Sequence, residues 1–278
     1  MPISPALMAL RERILTAVRD DPRIVSLIDY GSSSEGRADE WSDLDFALFI
    51  RDGDFDDFSA SWRDWARQCG DMLLGYIGYV GHPWAIFAAE PMPLRVDFDL
   101  FRESDVDGLR NWPNSPLSVD TFLIYDSTNG PIREAAASLV GKDLHPADPR
   151  HEFDRDCGDF WYFLLFSYCK LRRGEVWNAR QVFHIVAMEA LLRLLRLSAG
   201  ATDRWEGSQS AWNIENVLSP ETLQRLERCV PGDGGAGVMA GLTSAALLGR
   251  DVCHDLAQAN KWEWPRRLAD RVTSLLTR

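Results

Sequence analysis

Residues 30–49 read YGSSSEGRADEWSDLDFALF, and the fold of the first half of the chain follows from them. The β-branched run 24–30 (IVSLIDY) leads into the stretch, and a Gly-Ser pair, Gly31 and Ser32, ends that run. About ten residues later Asp43 and Asp45 open a second apolar run that continues to Ile50. Side chains at i and i+2 of a strand share one face. The two carboxylates can therefore converge on one divalent cation while Leu44, Phe46 and Leu48 point into a core. The Gly-Ser turn offers backbone N–H groups and a hydroxyl to phosphate oxygens. A phosphate holder beside paired carboxylates is what metal-assisted chemistry on a nucleoside triphosphate requires.

The neighbouring segments extend the pattern. Ser4-Pro5 reads as a helix start, and Leu7, Leu10, Ile14 and Val18 recur at helical spacing up to Asp20. Phe58, Trp62, Trp65 and Ala66 predict a second helix to about Gln68. The runs 72–80 and 84–88 flank Gly81-His82-Pro83 as a hairpin would. The run LRVDFDLF alternates as a strand, with Val96, Phe98 and Leu100 on one face and Asp97 and Asp99 on the other. Residues 121–125 read as one more strand and 132–140 as a helix. The segment GKDLHPADP, with two prolines and no periodicity, is the best boundary in the chain. Beyond it helices are predicted over 160–171, 179–197, 220–229, 237–248 and 262–276, with a loop over 200–213. Strands with helices first and helices alone afterwards predict an α+β fold. The expected organisation is an N-terminal domain over 1–145, a mixed sheet flanked by helices, followed by an all-α helical-bundle domain over 150–278.

Gly-Ser, a gap of about ten residues, then Asp-x-Asp between apolar residues resembles the signature of the polymerase-beta-type nucleotidyltransferase superfamily. That family needs a third carboxylate on a later strand, and LRVDFDLF supplies Asp97, with Asp99 two residues on. Within the superfamily the chain is most similar to the antibiotic nucleotidyltransferases of lincosamide and aminoglycoside type. The initial helix, the YGS…WSDLDF stretch, the third-acid strand and TFLIYDSTNG occur in the same order and at similar spacing; the second half is similar more loosely. Asp99 departs from the pattern, and which of the two acids does the work stays open; position in the motif favours Asp97.

The resemblance implies transfer of a nucleoside monophosphate, AMP from ATP, to a hydroxyl of a small acceptor such as a lincosamide or aminoglycoside, with release of pyrophosphate. Asp43, Asp45 and Asp97 are the implied catalytic and Mg²⁺-binding residues, and Asp97 the implied general base on the drug hydroxyl. Gly31 and Ser32 are expected to bind the triphosphate. YCKLRRGEVWNA resembles a helix end and turn that relatives place near the nucleotide, which makes Lys170 a candidate phosphate contact. Against each stands a plainer reading: solvent-facing acids at a strand start, an ordinary turn, a surface lysine. The combination in one stretch favours the functional reading. Two other functions fit less well: a nucleotidyltransferase that modifies a protein or an unidentified metabolite, and a non-catalytic nucleotide-binding module.

Composition narrows the partners. The 278 residues carry a formal net charge of −12, with 46% hydrophobic and 26% charged residues. A nucleic-acid backbone needs clustered cations, so no nucleic-acid partner is expected. A cationic small molecule is compatible, although a negative surface is more often a matter of solubility. No run approaches the roughly 20 apolar residues that cross a membrane, and MPISPALMALRERIL meets Arg11 and Glu12 before any long apolar run. The five cysteines lack the close spacing of a zinc knuckle or redox pair. His82, His145, His151 and His254 form no ligand-like cluster. A cytoplasmic enzyme without zinc is expected, and a homodimer is compatible with the resemblance. Arg180 and His184 read as a structural pair on an apolar helix. Among the tryptophans of the second half one or two could line an acceptor pocket. Glu152, Asp156, Asp159 and Glu189 could face a cationic acceptor.

Overall fold

The computed structural model describes residues 3–128, 130–206 and 209–278. Met1 and Pro2 of the N-terminal reading, Asn129 of the run 121–130, and Gly207 and Ser208 of the loop 200–213 lie outside the described residues. The chain divides into two compact units, Met1–Asp143 and Leu144–Arg278.

The first unit runs α1 (Pro5–Asp20), β1 (Ile24–Asp29), β2 (Leu44–Ile50), α2 (Phe55–Arg67), β3 (Met72–Ile77), β4 (Pro83–Phe87), β5 (Leu94–Arg102), α3 (Val106–Leu109), α4 (Val119–Phe122), β6 (Leu123–Asp126) and α5 (Pro131–Ala137). Its sheet has the order β3-β4-β5-β2-β1-β6. β2 and β5 pair in parallel, and the other neighbours are antiparallel. Residues 121–125 are not all strand. Thr121 and Phe122 close a short helix whose cap, Ser118, accepts from the Thr121 backbone N–H, and the strand begins only at Leu123.

Each sheet face has its own core. Leu44, Phe46 and Leu48 of β2 and Val96 and Phe98 of β5 pack with Leu10, Ile14 and Val18 of α1 and Phe58, Trp62 and Trp65 of α2. On the opposite face Ala47 and Phe49 of β2 pack with Ile28, Phe122, Ile132 and Ala136. Burying a Leu or Phe side chain stabilises by about 1.5–3 kcal/mol, so both faces of β2 are firmly held from Phe46 to Ile50. The second core runs out at Asp45 on β2 and at Asp97 and Asp99 on β5, where polar side chains replace apolar ones.

The second unit is helical: α6 (Pro149–Arg172), α7 (Val176–Val182), α8 (Met188–Ser198), α9 (Ile214–Val217), α10 (Pro220–Glu227), α11 (Gly234–Asn260) and α12 (Arg266–Leu276). α6 starts earlier than its apolar run suggests. Asp148 caps it by accepting from the backbone N–H groups of Arg150 and His151, and Pro149 fills the first turn. A π-helical turn, Phe183–Ala187, joins α7 to α8. Phe153, Phe160, Trp161, Leu164, Phe183, Leu191, Leu242 and Leu256 form the core of the bundle. α11 lies so close to α6 that a Cβ at Gly249 would come within 2.2 Å of the Phe160 ring. No helix among the described residues is long and apolar enough to cross a membrane.

Candidate active site

The site forms where the second core of the first unit ends. Asp45 and Asp97 are register partners on the parallel strands β2 and β5, and Asp97 is paired on its other side with Trp84 of β4. Asp43 stands one turn of alternation before Asp45 and on the same side. Burial, together with the charges of Asp43, Asp97 and Asp29, raises the Asp45 carboxyl to about 7. Burial and the charge of Asp43, partly offset by Arg95, raise Asp97 to about 6, with Asp99 adding to the rise. Asp43, Asp45 and Asp97 are thus brought together as like charges that oppose one another's ionisation.

The turn after β1 is built against this cluster. Tyr30 donates its backbone N–H to the Asp45 carbonyl at 3.0 Å. A Cβ on Gly31 would lie 2.1 Å from Asp45 Oδ2, so only glycine leaves room for that carboxylate. Gly31 is therefore required first by its contact with Asp45. Ser32 donates to Ser42 Oγ at 3.2 Å, which ties the turn to the residues just before Asp43. Beneath it the buried Asp29 accepts from Ser33 Oγ at 2.5 Å and lies 3.5 Å from the Arg11 guanidinium. Burial pushes the Asp29 carboxyl up despite these partners.

Asp99 differs from Asp97. It pairs with His82 Nδ1 from the β3–β4 loop and with the Tyr30 hydroxyl. Asp43 is also engaged, by the Arg95 guanidinium at 2.6 Å. Arg95, Tyr76, Trp84, Ala85 and Ile86 join Asp97 around a recess of about 240 Å³. Tyr76 and Tyr79 meet the Trp84 ring edge-on.

Arg95, His82, Tyr30, Tyr76 and Trp84 were not among the sequence candidates. For Arg95 a signal existed, since it shares the alternation of Asp97 in LRVDFDLF. For His82, in a hairpin loop, none did. Lys170 lies in the second unit, where it donates to Glu175 at 2.9 Å and sits over the Phe166 ring. Three of the four acids expected to face a cation there are engaged within the unit: Glu152 and Asp156 by Arg155 and Arg193, and Glu189 by Ser210; Asp159, on α6, is half-buried.

Among the described residues no three Asp, Glu, His or Cys side chains form a closed cage for a metal ion. The residues present nonetheless fit Mg²⁺. Their donors are carboxylate oxygens alone, Mg²⁺ needs only one or two of these beside substrate phosphates, and the raised Asp45 and Asp97 mark a shortage of positive charge.

The mixed sheet, with its Gly-Ser turn and acids on two adjacent parallel strands, is consistent with an α+β nucleotidyltransferase fold. The streptomycin adenylyltransferase family model matches residues 94–278, more than half of the chain. The chain belongs to that family and is an adenylyltransferase. The matched span begins at β5, so it takes in Asp97 but not Asp43 or Asp45. No curated protein matches the sequence. Among solved structures the chain is similar to an aminoglycoside 6-adenyltransferase from Bacillus subtilis, at 14% identity and a TM-score of 0.45, over 98% of this chain and 96% of that one. It is also similar to a nucleotidyltransferase-like protein from Exiguobacterium sibiricum, at 12% identity and a TM-score of 0.36, over 97% and 87% of the two chains.

Proposed function

We propose that the enzyme transfers AMP from ATP to a hydroxyl of a small-molecule antibiotic, a lincosamide or an aminoglycoside, and releases pyrophosphate. The observation that carries this reading is the register pairing of Asp45 with Asp97 beside Asp43, at the mouth of an aromatic recess. Asp43 and Asp45, with Asp97, would hold Mg²⁺. When bound, Mg²⁺ supplies positive charge for the α-phosphoryl group and the departing pyrophosphate. Gly31 and Ser32 hold the triphosphate through backbone N–H groups and a hydroxyl.

The acceptor lies in the recess with a ring face against Trp84 and Tyr76, as pockets of this kind hold ligands with apolar walls and few polar groups. Its hydroxyl oxygen attacks the α-phosphorus, the bond to the pyrophosphate oxygen breaks, and the hydroxyl proton passes to Asp97. Asp97 lines that recess, and in this reading its carboxylate takes the proton. Asp99 is committed to His82 and Tyr30 and acts as a brace. The five cysteines are free thiols, which supports a cytoplasmic setting.

One observation favours a protein acceptor as second reading. The edge strand β3 and its loop expose Leu73, Leu74, Ile77, Tyr79 and Val80, a row suited to a partner chain. The test is pyrophosphate release from each of the four nucleoside triphosphates with Mg²⁺ and a panel of lincosamides and aminoglycosides, beside an Asp45→Ala control. Release with one drug, lost in the control, is expected. Drug-independent binding of ATP without release would move the search to protein acceptors.

A further inference from the structure

The carboxylate cluster already holds one cation, and it belongs to the chain. The Arg95 guanidinium lies 2.6 Å from Asp43 Oδ2, with its side chain 64% exposed and that of Asp43 26% exposed. β5 fixes its position: Arg95 stands two residues before Asp97 on the same face, opposite Ile86 of β4. It also lines the recess beside Asp97. We propose that Arg95 is a displaceable counter-ion, which occupies Asp43 in the empty enzyme and gives it up when a divalent cation binds. The inference rests on the reading of Asp43 as a Mg²⁺ ligand.

Two features support exchange over a fixed structural pair. An exposed ion pair is weak, so the guanidinium leaves at little cost. Its partner carboxylate adjoins Asp45 and Asp97, which a divalent cation neutralises better than one guanidinium does. Once released, the guanidinium still borders the recess, where it faces the acceptor.

The test measures Mn²⁺ binding to the full chain by electron paramagnetic resonance, without acceptor and so independent of turnover. Arg95→Gln is expected to bind Mn²⁺ about two- to fivefold more tightly than wild type, the range set by the weakness of an exposed pair. Arg95→Lys, which keeps the charge but loses the planar fork, is expected to fall between the two. A crystal loaded with Mn²⁺ and a non-hydrolysable ATP analogue is expected to show the guanidinium away from Asp43. Unchanged or weaker Mn²⁺ binding in Arg95→Gln overturns the proposal, as does a loaded crystal with Arg95 still on Asp43. Absence of Mn²⁺ binding in every protein, with ATP present, overturns the assignment of the metal ligands as well.

Discussion

Two acidic clusters of this chain differ in how fully their charge is compensated. In the second unit Glu152 and the buried Asp156 are each bound by both Arg155 and Arg193, and the Arg193 guanidinium lies 4.0 Å above the Trp205 ring. In the first unit Asp43, Asp45 and Asp97 share a single exposed arginine, and burial and mutual repulsion push two of them far above the aspartate range. A buried ion network is built to be internally satisfied, because an unpaired charge in low dielectric is costly. A cluster left short of positive charge is destabilising for the fold, and such places concentrate at functional sites. The contrast supports the proposed reading of the first cluster as a site and of the second as structure.

The largest expected effect comes from removing charge at the first cluster. Asp45→Asn is expected to lower AMP transfer by at least about a thousandfold, a loss of roughly 4 kcal/mol of transition-state stabilisation. The same change relieves repulsion, so at pH 8 without divalent cation the variant is expected to resist thermal unfolding better than wild type, by about 1–2 kcal/mol. Gly31→Ala, which drives a Cβ into Asp45, is expected to lose activity without that gain. Pyrophosphate release and thermal melts on the same samples read both. A less stable Asp45→Asn protein would break the comparison.

The mirror experiment is Arg193→Ala in the second unit. Asp156 is only 3% exposed, and losing one of its two arginines leaves it under-compensated. A destabilisation of about 3 kcal/mol is expected, measured by urea unfolding, with the turnover of folded enzyme at saturating substrate unchanged. A large fall in turnover with unchanged stability would make Arg193 a substrate contact, and the second cluster a site after all.

pH separates the clusters next. The folded pKa values of Asp45 and Asp97, about 7 and about 6, stand above the ordinary value of 3.8. Between about pH 4 and pH 7 the folded protein therefore binds more protons than the unfolded chain. The stability these two groups contribute is complete below about pH 4 and is lost as pH rises through 6 and 7, on the order of 1–3 kcal/mol in all. Mg²⁺ competes with those protons, so the rise in Tm it causes is expected to be larger at about pH 8 than at about pH 5. Equal shifts at both pH values would detach the raised acids from cation binding.

How far the sequence revealed this contrast depends on the range of the contacts. Period-two alternation is local, so LRVDFDLF and the run after Asp43 disclosed their inward acids and their cores. Whether a charge is compensated is not local. Arg193 meets Glu152 and Asp156 from 41 and 37 residues away, and His82 meets Asp99 across two strands. Nothing in the spacing of 152 and 156 separates a satisfied pair from a cation-binding one, which is why those acids read as candidate acceptor contacts. The start of α6 was legible in principle, since Asp148-Pro149 is a cap followed by a first-turn proline, but two prolines in one segment read as a linker. The π-helical turn left no signal, because one extra residue per turn barely disturbs an apolar pattern as dense as VFHIVAMEALL.

The smallest expected effect decides between the two acids of β5. If Asp97 takes the proton, Asp97→Asn is expected to fall with Asp45→Asn in activity, while Asp99 serves to hold Tyr30 and the loop of His82 against the sheet. His82 is 38% exposed at its side chain, and Tyr30 keeps its hydrogen bond to Asp99 when the imidazole is removed. His82→Ala is therefore expected to lower kcat only about two- to fivefold, worth roughly 0.5–1 kcal/mol, with KM for ATP and the unfolding midpoint almost unchanged. Asp99→Asn, which keeps a hydrogen-bonding group of the same shape, is expected to behave alike. A hundredfold loss in either variant would move the base from Asp97 to the Asp99–His82 pair. The compensated acid, rather than the repelled one, would then do the chemistry, against the distinction drawn between the two units.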